Sequence, residues 1–228
     1  MLKRCGRSAT GRPLVIDLFC GLGGWSEGFL AEGYDCIGFD IERHVYGDQK
    51  YPAQLVLQDV LTLDGKQFRC ADMIVASPPC QEYSLWSMRM FHPNPPVPSR
   101  RLWGAALRIA HQAGIPIIIE NVRGAQYWWG RASWRCGSYY FWGDTPALWP
   151  DVAVKRKNVV DDIKRGDRRG LKVNAQFSSN SAARKRLTAE AAKIPFPLAS
   201  YIARCFRPRA LPERHPGSAA ARCPSPVG

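Results

Sequence analysis

Short apolar runs bounded by Gly, Pro and acidic residues recur along the first 146 residues, with stretches of helical periodicity between them. Leu14–Leu18 reads as a first strand, 35–39 as a second that ends at Asp40, Gln54–Leu57 as a third, and 72–76 as a fourth running into Ser77-Pro78-Pro79. Residues 25–32 read as a helix stopped by Gly33, since glycine tolerates the left-handed conformation that follows a helix. From Ser99, a capping residue, Leu102, Ala106, Ile109 and Ala113 fall on one helical face, and Gly114 ends that helix. Residues 115–119 give a fifth strand with Glu120 and Asn121 at its carboxyl end, and 139–142 a further strand. Strands alternating with helices predict an α/β fold, a Rossmann-like, doubly wound, mostly parallel sheet.

Beyond residue 146 the pattern changes. Residues 147–186 form a basic region, 187–206 read as a helix interrupted near Pro195 and Pro197, and 207–228, rich in Pro, Ala and Arg, read as a disordered tail. The division is therefore 1–146 as the main domain, 147–186 as a small appendage, 187–206 as a helix completing the domain, and the tail.

Composition narrows the function classes. The chain of 228 residues is 46% hydrophobic, enough for one packed α/β domain. No stretch approaches the roughly 20 apolar residues that span a bilayer, and the basic start has no apolar run after it, so a cytoplasmic protein without membrane contact is expected. The eight cysteines contain no Cys-x-x-Cys pair and have no histidine at zinc-ligand spacing, so most read as core thiols and no metal is expected. The net charge of +13 points to a polyanionic partner. Eleven Lys/Arg against four Asp lie between Asp151 and Arg186, which is either a solvated face or a phosphate-binding surface.

Three constellations carry chemistry. Asp17-Leu18-Phe19-Cys20-Gly21-Leu22-Gly23-Gly24 takes a strand through a glycine-rich turn into a helix, and Asp40 ends the next strand. An acid there suits ribose hydroxyls, and without G-x-G-x-x-G spacing or a Walker lysine a nucleoside lacking pyrophosphate fits best. A tight turn with no ligand remains the other reading. Ser77-Pro78-Pro79-Cys80-Gln81-Glu82-Tyr83-Ser84 holds a cysteine at a strand's carboxyl end, a stiffly presented nucleophile or else a buried structural thiol. Glu120-Asn121-Val122 puts a carboxyl beside apolar isoleucines, where it can act as a proton donor or merely as a surface acid.

Taken together, these motifs resemble the DNA cytosine-5 methyltransferase family in order and spacing. Asp59-Val60, Tyr140-Phe141-Trp142-Gly143-Asp144-Thr145-Pro146 and Ile194-Pro195-Phe196-Pro197-Leu198-Ala199 extend the likeness to about residues 13–206. The resemblance implies the class I fold of methyltransferases that use S-adenosylmethionine (AdoMet), with 1–146 binding the cofactor and 147–186 as a reduced target-recognition region. It implies Phe19 stacked on adenine, Gly21, Gly23 and Gly24 admitting the methionine part, Asp40 on the ribose, Asp59 on the adenine amino group, and Leu22, Ile41, Val60 and Pro79 as neighbours. It implies that Cys80 attacks carbon 6 of a cytosine flipped out of duplex DNA, with Glu120 on nitrogen 3. Gln81, Ser84, Arg123, Lys155, Arg156, Lys157, Arg168 and Arg169 are the candidate DNA contacts.

The chain also departs from the family. Members carry a Gln-x-Arg-x-Arg segment whose arginine contacts the cytosine carbonyl; here the stretch is Arg135-Cys136-Gly137-Ser138-Tyr139, which leaves Arg135, with Arg123 as the other candidate. The asparagine usual before the last motif is Ala192 here. The compact form resembles phage or prophage members, and a monomer is expected. About 40 charge-rich residues offer little core to hold base-reading side chains, so a short or degenerate site of about two to four bases is expected. A tRNA cytosine-5 methyltransferase and a catalytically silent nucleic-acid-binding relative are the alternatives.

Overall fold

The computed structural model describes residues 10–87, 94–95, 97–148 and 181–208. The order is β1 (Leu14–Leu18), α1 (Gly24–Ala31), β2 (Asp35–Asp40), a small hairpin of β3 (Val45–Tyr46) and β4 (Gln49–Lys50), β5 (Gln54–Leu57), β6 (Met73–Ala76) and α2 (Gln81–Ser87). There follow α3 (Arg101–Ala113), β7 (Ile117–Asn121), α4 (Gln126–Trp129), β8 (Trp134–Cys136), β9 (Tyr139–Gly143), α5 (Ala182–Ala192) and α6 (Phe196–Phe206).

Seven strands form one sheet in the order β5-β2-β1-β6-β7-β9-β8. β5, β2, β1, β6 and β7 run parallel; β9 is antiparallel to both β7 and β8. The chain winds outward from β1 to β5, then returns to lay β6 and β7 on β1's other side. That reversal makes the sheet doubly wound and Rossmann-like, and it opens a crevice at the carboxyl ends of β1 and β6.

Helices cover both faces, so the central strands are largely apolar rather than alternating, with Asp17 in β1 and Glu120 and Asn121 at the end of β7 as the polar exceptions. All four residues of β6 are buried. On one face Ile16, Leu18, Ile74, Ala76 and Ile119 pack with Trp103, Ala106 and Ile109 of α3. On the other, Val15, Val75, Ile118 and Phe141 pack with Trp25 and Phe29 of α1 and with Leu198, Ala199 and Ile202 of α6. α1 and α6 approach closely because Gly28 has no side chain: a Cβ there would lie 2.5 Å from the Cβ of Ala199.

Several expected boundaries shift. Pairing with β9 carries the fifth strand through Glu120 and Asn121, which therefore lie inside β7. Arg100 rather than Ser99 is the N-cap of α3, although the Ser99 hydroxyl still accepts from the Arg101 N–H at 3.3 Å. The single interrupted helix at 187–206 is two helices, and α5 begins at Ala182, inside the segment assigned to the appendage. The β3–β4 hairpin, α2 and β8 were not expected. Residues 149–180 and the tail from 209 lie outside the described residues, and with them Lys155, Arg156, Lys157, Arg168 and Arg169. No described helix is long and apolar enough to cross a membrane.

Two glycines test this packing in opposite directions. Gly28→Ala should destabilise the fold by about 1–3 kcal/mol through overpacking against α6. Gly104, inside α3, has nothing within 4 Å of an added Cβ, so Gly104→Ala should stabilise by about 0.5–1 kcal/mol through helix propensity. Urea denaturation midpoints read both; equal midpoints for the two variants would contradict the packing described.

Candidate active site

β1 delivers the chain into the crevice through a strained residue. Phe19 has φ 59°, and it is the one non-glycine with positive φ among the described residues. A bulky side chain in that region costs on the order of 1–3 kcal/mol. Its ring faces the crevice and packs on the core edge. The turn is then tied down: the Gly23 N–H donates to the Cys20 carbonyl at 2.7 Å, and the Gly21 N–H to Asp40 Oδ2 at 2.9 Å.

The three glycines of this turn have different reasons. A Cβ on Gly23 would lie 2.4 Å from Pro52 Cδ, and one on Gly24 would lie 2.5 Å from the Ile194 nitrogen. These two make room for the protein itself: Gly23 lies against Tyr51 and Pro52, and Gly24, which lines the cavity, lies against Ile194. A Cβ on Gly21 would meet nothing within 4 Å, because Gly21 faces open space.

That space is a cavity of about 720 Å³. Phe19, Gly21, Leu22, Gly24 and Trp25 form its floor; Asp40 and Ile41 come from the end of β2, Asp59 and Val60 from the turn after β5, and Ser77, Pro79 and Gln81 from the turn after β6. Thr188, Ala189 and Ala192 of α5, with Lys193 and Ile194, make the facing wall. Asp40 Oδ1 accepts from the backbone of Ile41 at 2.8 Å and Glu42 at 3.3 Å, so its carboxylate is oriented in advance. Asp59 Oδ1 accepts from Leu61 N at 2.9 Å. Ile41 is 74% exposed at the cavity's edge. Two acids, an uncovered isoleucine and an aromatic ring suit a nucleoside, with hydroxyl and amino donors and a flat apolar base.

The nucleophile and acid candidates meet beside this cavity. Pro78, Pro79 and Cys80 follow β6, and Cys80 opens α2, its carbonyl accepting from Ser84 N at 2.9 Å. Asn121, 1% exposed, donates from Nδ2 to the Pro78 carbonyl at 2.9 Å, stitching the Pro-Pro-Cys loop to the end of β7. Glu120 Oε2 accepts from the Ser77 hydroxyl at 3.2 Å, and Ser77 Oγ accepts from Trp25 Nε1 at 3.0 Å. Burial pushes the Cys80 thiol up and the charge of Glu120 adds to that, while hydrogen bonds from Ser84 and from the Cys80 backbone act in the opposite direction. The resting nucleophile candidate is thus a thiol, and any step that neutralises Glu120 favours the thiolate.

Other candidates separate. Gln81, Ser84 and Arg123 lie at this same end of the sheet: Gln81 and Ser84 on α2, and Arg123 exposed three residues after Glu120. Arg135 does not join them. On β8 it pairs with Tyr140, which pairs with Asn121, whereas Glu120 shares its row with Phe141 and Trp134. Cross-strand partners share a face, so Arg135 projects from the face opposite Glu120. Sequence reasoning missed Trp25, Ser77 and Asn121. A tryptophan inside an apolar helix reads as core, and a serine before two prolines reads as a turn.

Under the glycine turn lies a buried acid. Asp17, 1% exposed, accepts from Ser26 Oγ at 2.7 Å; that hydroxyl is 2.6 Å from the Tyr51 hydroxyl, and Asp17 Oδ1 has no hydrogen-bond partner among the described residues. Burial, with the charge of Asp40 as a smaller cause, raises the Asp17 carboxyl to about 8.

The model of the C-5 cytosine-specific DNA methylase family matches residues 14–127, half of the chain. The chain belongs to this family. Among curated relatives it is 36% identical over 80 residues to the type II methyltransferase M.DdeI of Desulfomicrobium norvegicum, across 31% of this chain and 19% of that protein. It is 34% identical over 120 residues to the type II methyltransferase M.AplI of Arthrospira platensis, across 50% of this chain and 32% of that one. The chain thus spans a third or less of the curated relatives it matches. Among solved structures, the Dnmt2 methyltransferase of S. pombe is 22% identical, with a TM-score of 0.34 over 50% of this chain and 36% of its own. The family match covers Asp17, Asp40, Asp59, Cys80 and Glu120, and ends before β8.

Asp17 gives this methylase-family chain a pH signature. Its folded-state value of about 8 lies above the unfolded value of 3.8, so its contribution to stability is complete below about pH 4 and is lost as pH rises toward 8. Asp17→Asn cannot ionise and should gain on the wild type across that window. Urea denaturation at about pH 5 and about pH 8 checks this; a variant that tracks the wild type at both would show that Asp17 ionises freely in the folded state.

Proposed function

We propose that this chain transfers a methyl group from AdoMet to carbon 5 of cytosine in duplex DNA, through a covalent adduct of Cys80 with a flipped base. The observation that carries the reading is the meeting of Cys80 and Glu120 beside the nucleoside-shaped cavity, with Asn121 stitching the two strand ends together. AdoMet, when bound, supplies an electrophilic methyl group. Asp40 would accept from its ribose hydroxyls and Asp59 from its adenine amino group, with Phe19, Ile41 and Val60 as apolar walls and Pro79 toward the base. The Cys80 thiolate adds to carbon 6 of the cytosine, and the electron pair moves toward carbon 5. Glu120, which accepts from the Ser77 hydroxyl, enters this step protonated, without the negative charge that disfavours the thiolate, and gives its proton to nitrogen 3, ending as the carboxylate. Once carbon 5 is methylated, loss of its proton expels Cys80. The base must leave the stack, because carbon 5 and carbon 6 are out of reach within the duplex.

The family match and the curated type II methyltransferase relatives support DNA as substrate. Gln81, Ser84 and Arg123 would face the target strand, and the charge-rich segment with Lys155, Arg156, Lys157, Arg168 and Arg169 would bind phosphates. The same reading has a monomer working in the cytoplasm of a bacterium or a phage-infected cell.

Cys80→Ala should abolish transfer of labelled methyl to duplex DNA while AdoMet binding survives. The wild type should form a denaturation-resistant adduct with duplex DNA containing 5-fluorocytosine, in which carbon 5 has no removable proton. Methylation of tRNA but not of duplex DNA would move the substrate to RNA. No transfer to either, with DNA binding intact, would mark a silent relative.

Asp40→Ala should weaken AdoMet binding about ten- to a hundredfold, the loss of a charge-assisted hydrogen bond, with little change in DNA binding. Calorimetric titration reads the first and DNA mobility shift the second. An unchanged AdoMet affinity would remove Asp40 from the site.

A further inference from the structure

The amino-acid half of the cofactor needs a partner in this chain, and the residue that members of the family place before their last motif is here an alanine. Ala192 lines the cavity but has no polar atom beyond its backbone. Resting on the cofactor reading above, we propose that Lys193 holds the carboxylate of that amino-acid half.

The placement of the cavity's polar groups leads there. Asp40 and Asp59, on the strand ends β2 and β5, suit the hydroxyl and amino donors of the nucleoside. Ser77 and Pro79, beside Cys80, mark where the methyl-bearing sulfur must be presented. Gly24, Trp25, Lys193 and Ile194 also line the cavity, and Lys193 and Lys185 are the two lysines among its lining residues, so a carboxylate held there has a lysine as its charged partner.

Lys193 is fixed in position. Its carbonyl accepts from the Tyr139 hydroxyl at 3.3 Å, and its backbone passes so close to Gly24 that a Cβ there would lie 3.1 Å from the Lys193 carbonyl carbon. Its side chain is 25% exposed, and Nζ pairs with Glu27 Oε1 at 2.5 Å. An ammonium has three donors, so Glu27 leaves capacity for a second carboxylate. With ligand, the ammonium would lie between two carboxylates. Lys185, eight residues earlier on α5, also lines the cavity and is exposed.

Calorimetric titration of the full chain with two ligands tests this. S-adenosylhomocysteine carries the amino-acid half; 5′-methylthioadenosine keeps the adenosine and thioether but lacks it. Lys193→Ala should weaken S-adenosylhomocysteine about ten- to a hundredfold and leave 5′-methylthioadenosine within about twofold. Lys193→Arg should recover most of the loss. Glu27→Gln, which keeps the ammonium, should hold S-adenosylhomocysteine within about threefold of wild type. Equal weakening of both ligands in Lys193→Ala, an unchanged S-adenosylhomocysteine affinity, or a Glu27→Gln loss matching that of Lys193→Ala would overturn the assignment and leave a structural ion pair. A loss confined to Lys185→Ala would also overturn it, by giving the carboxylate to another lysine. Wild type that binds neither ligand would instead sink the cofactor reading itself.

Discussion

The register of three parallel strands governs the site. Leu18 of β1 stands beside Ala76 of β6, and Ala76 beside Ile119 of β7. The next residue of each strand is therefore Phe19, Ser77 and Glu120, one from each chemical motif, emerging in a row at the sheet's carboxyl edge. A slip of one residue in either pairing would turn the affected side chain to the other face. Such a slip is opposed on both sides of the sheet, because β1, β6 and β7 are buried under α3 on one face and under α1 and α6 on the other. The covered sheet thus fixes chemistry at an edge that the covering helices leave open.

Holding that edge open has local costs. Phe19 sits in a conformation that bulky residues avoid, and Asp17, the second residue before it, has one buried carboxylate oxygen with no hydrogen-bond partner among the described residues. Strain and burial are tolerated because neighbours over-determine the turn: Asp40 takes the Gly21 N–H, while Tyr51 and Pro52 close on Gly23. The same crowding explains why glycine is needed at positions 23 and 24 for reasons unrelated to a ligand, since Pro52 and Ile194 occupy the space.

Much of this was legible in the sequence, because the strands' apolar runs and their acidic or Pro-rich ends are local signals. Asp40, Cys80 and Glu120 could be placed at strand ends without any knowledge of tertiary contacts. What depended on partners distant in sequence was not legible. The face on which Arg135 projects is set by pairing with β9, and the role of Gly24 by Ile194, far along the chain. α5, with its text of Ala, Arg, Lys and Glu, has no clear apolar face, so its start at Ala182 merged with the basic region. The β3–β4 hairpin, two residues per strand, is too short to show a period.

The cavity and the Cys80–Glu120 pair are one system rather than two neighbours. Trp25, 2% exposed, is among the residues lining the cavity and donates from its indole to Ser77, which in turn donates to Glu120. Trp25 is also wedged edge-on against Phe29 and Phe141, so its indole N–H has little freedom to turn away. The Glu120 carboxylate is therefore linked through Ser77 to a residue that lines the cavity. Because Glu120's charge is one of the causes that raise the Cys80 thiol, the thread reaches the proposed nucleophile as well. A ligand that pressed on Trp25 would act on both ends of the proposed chemistry through two hydrogen bonds and one Coulombic contact, with no movement of the backbone required.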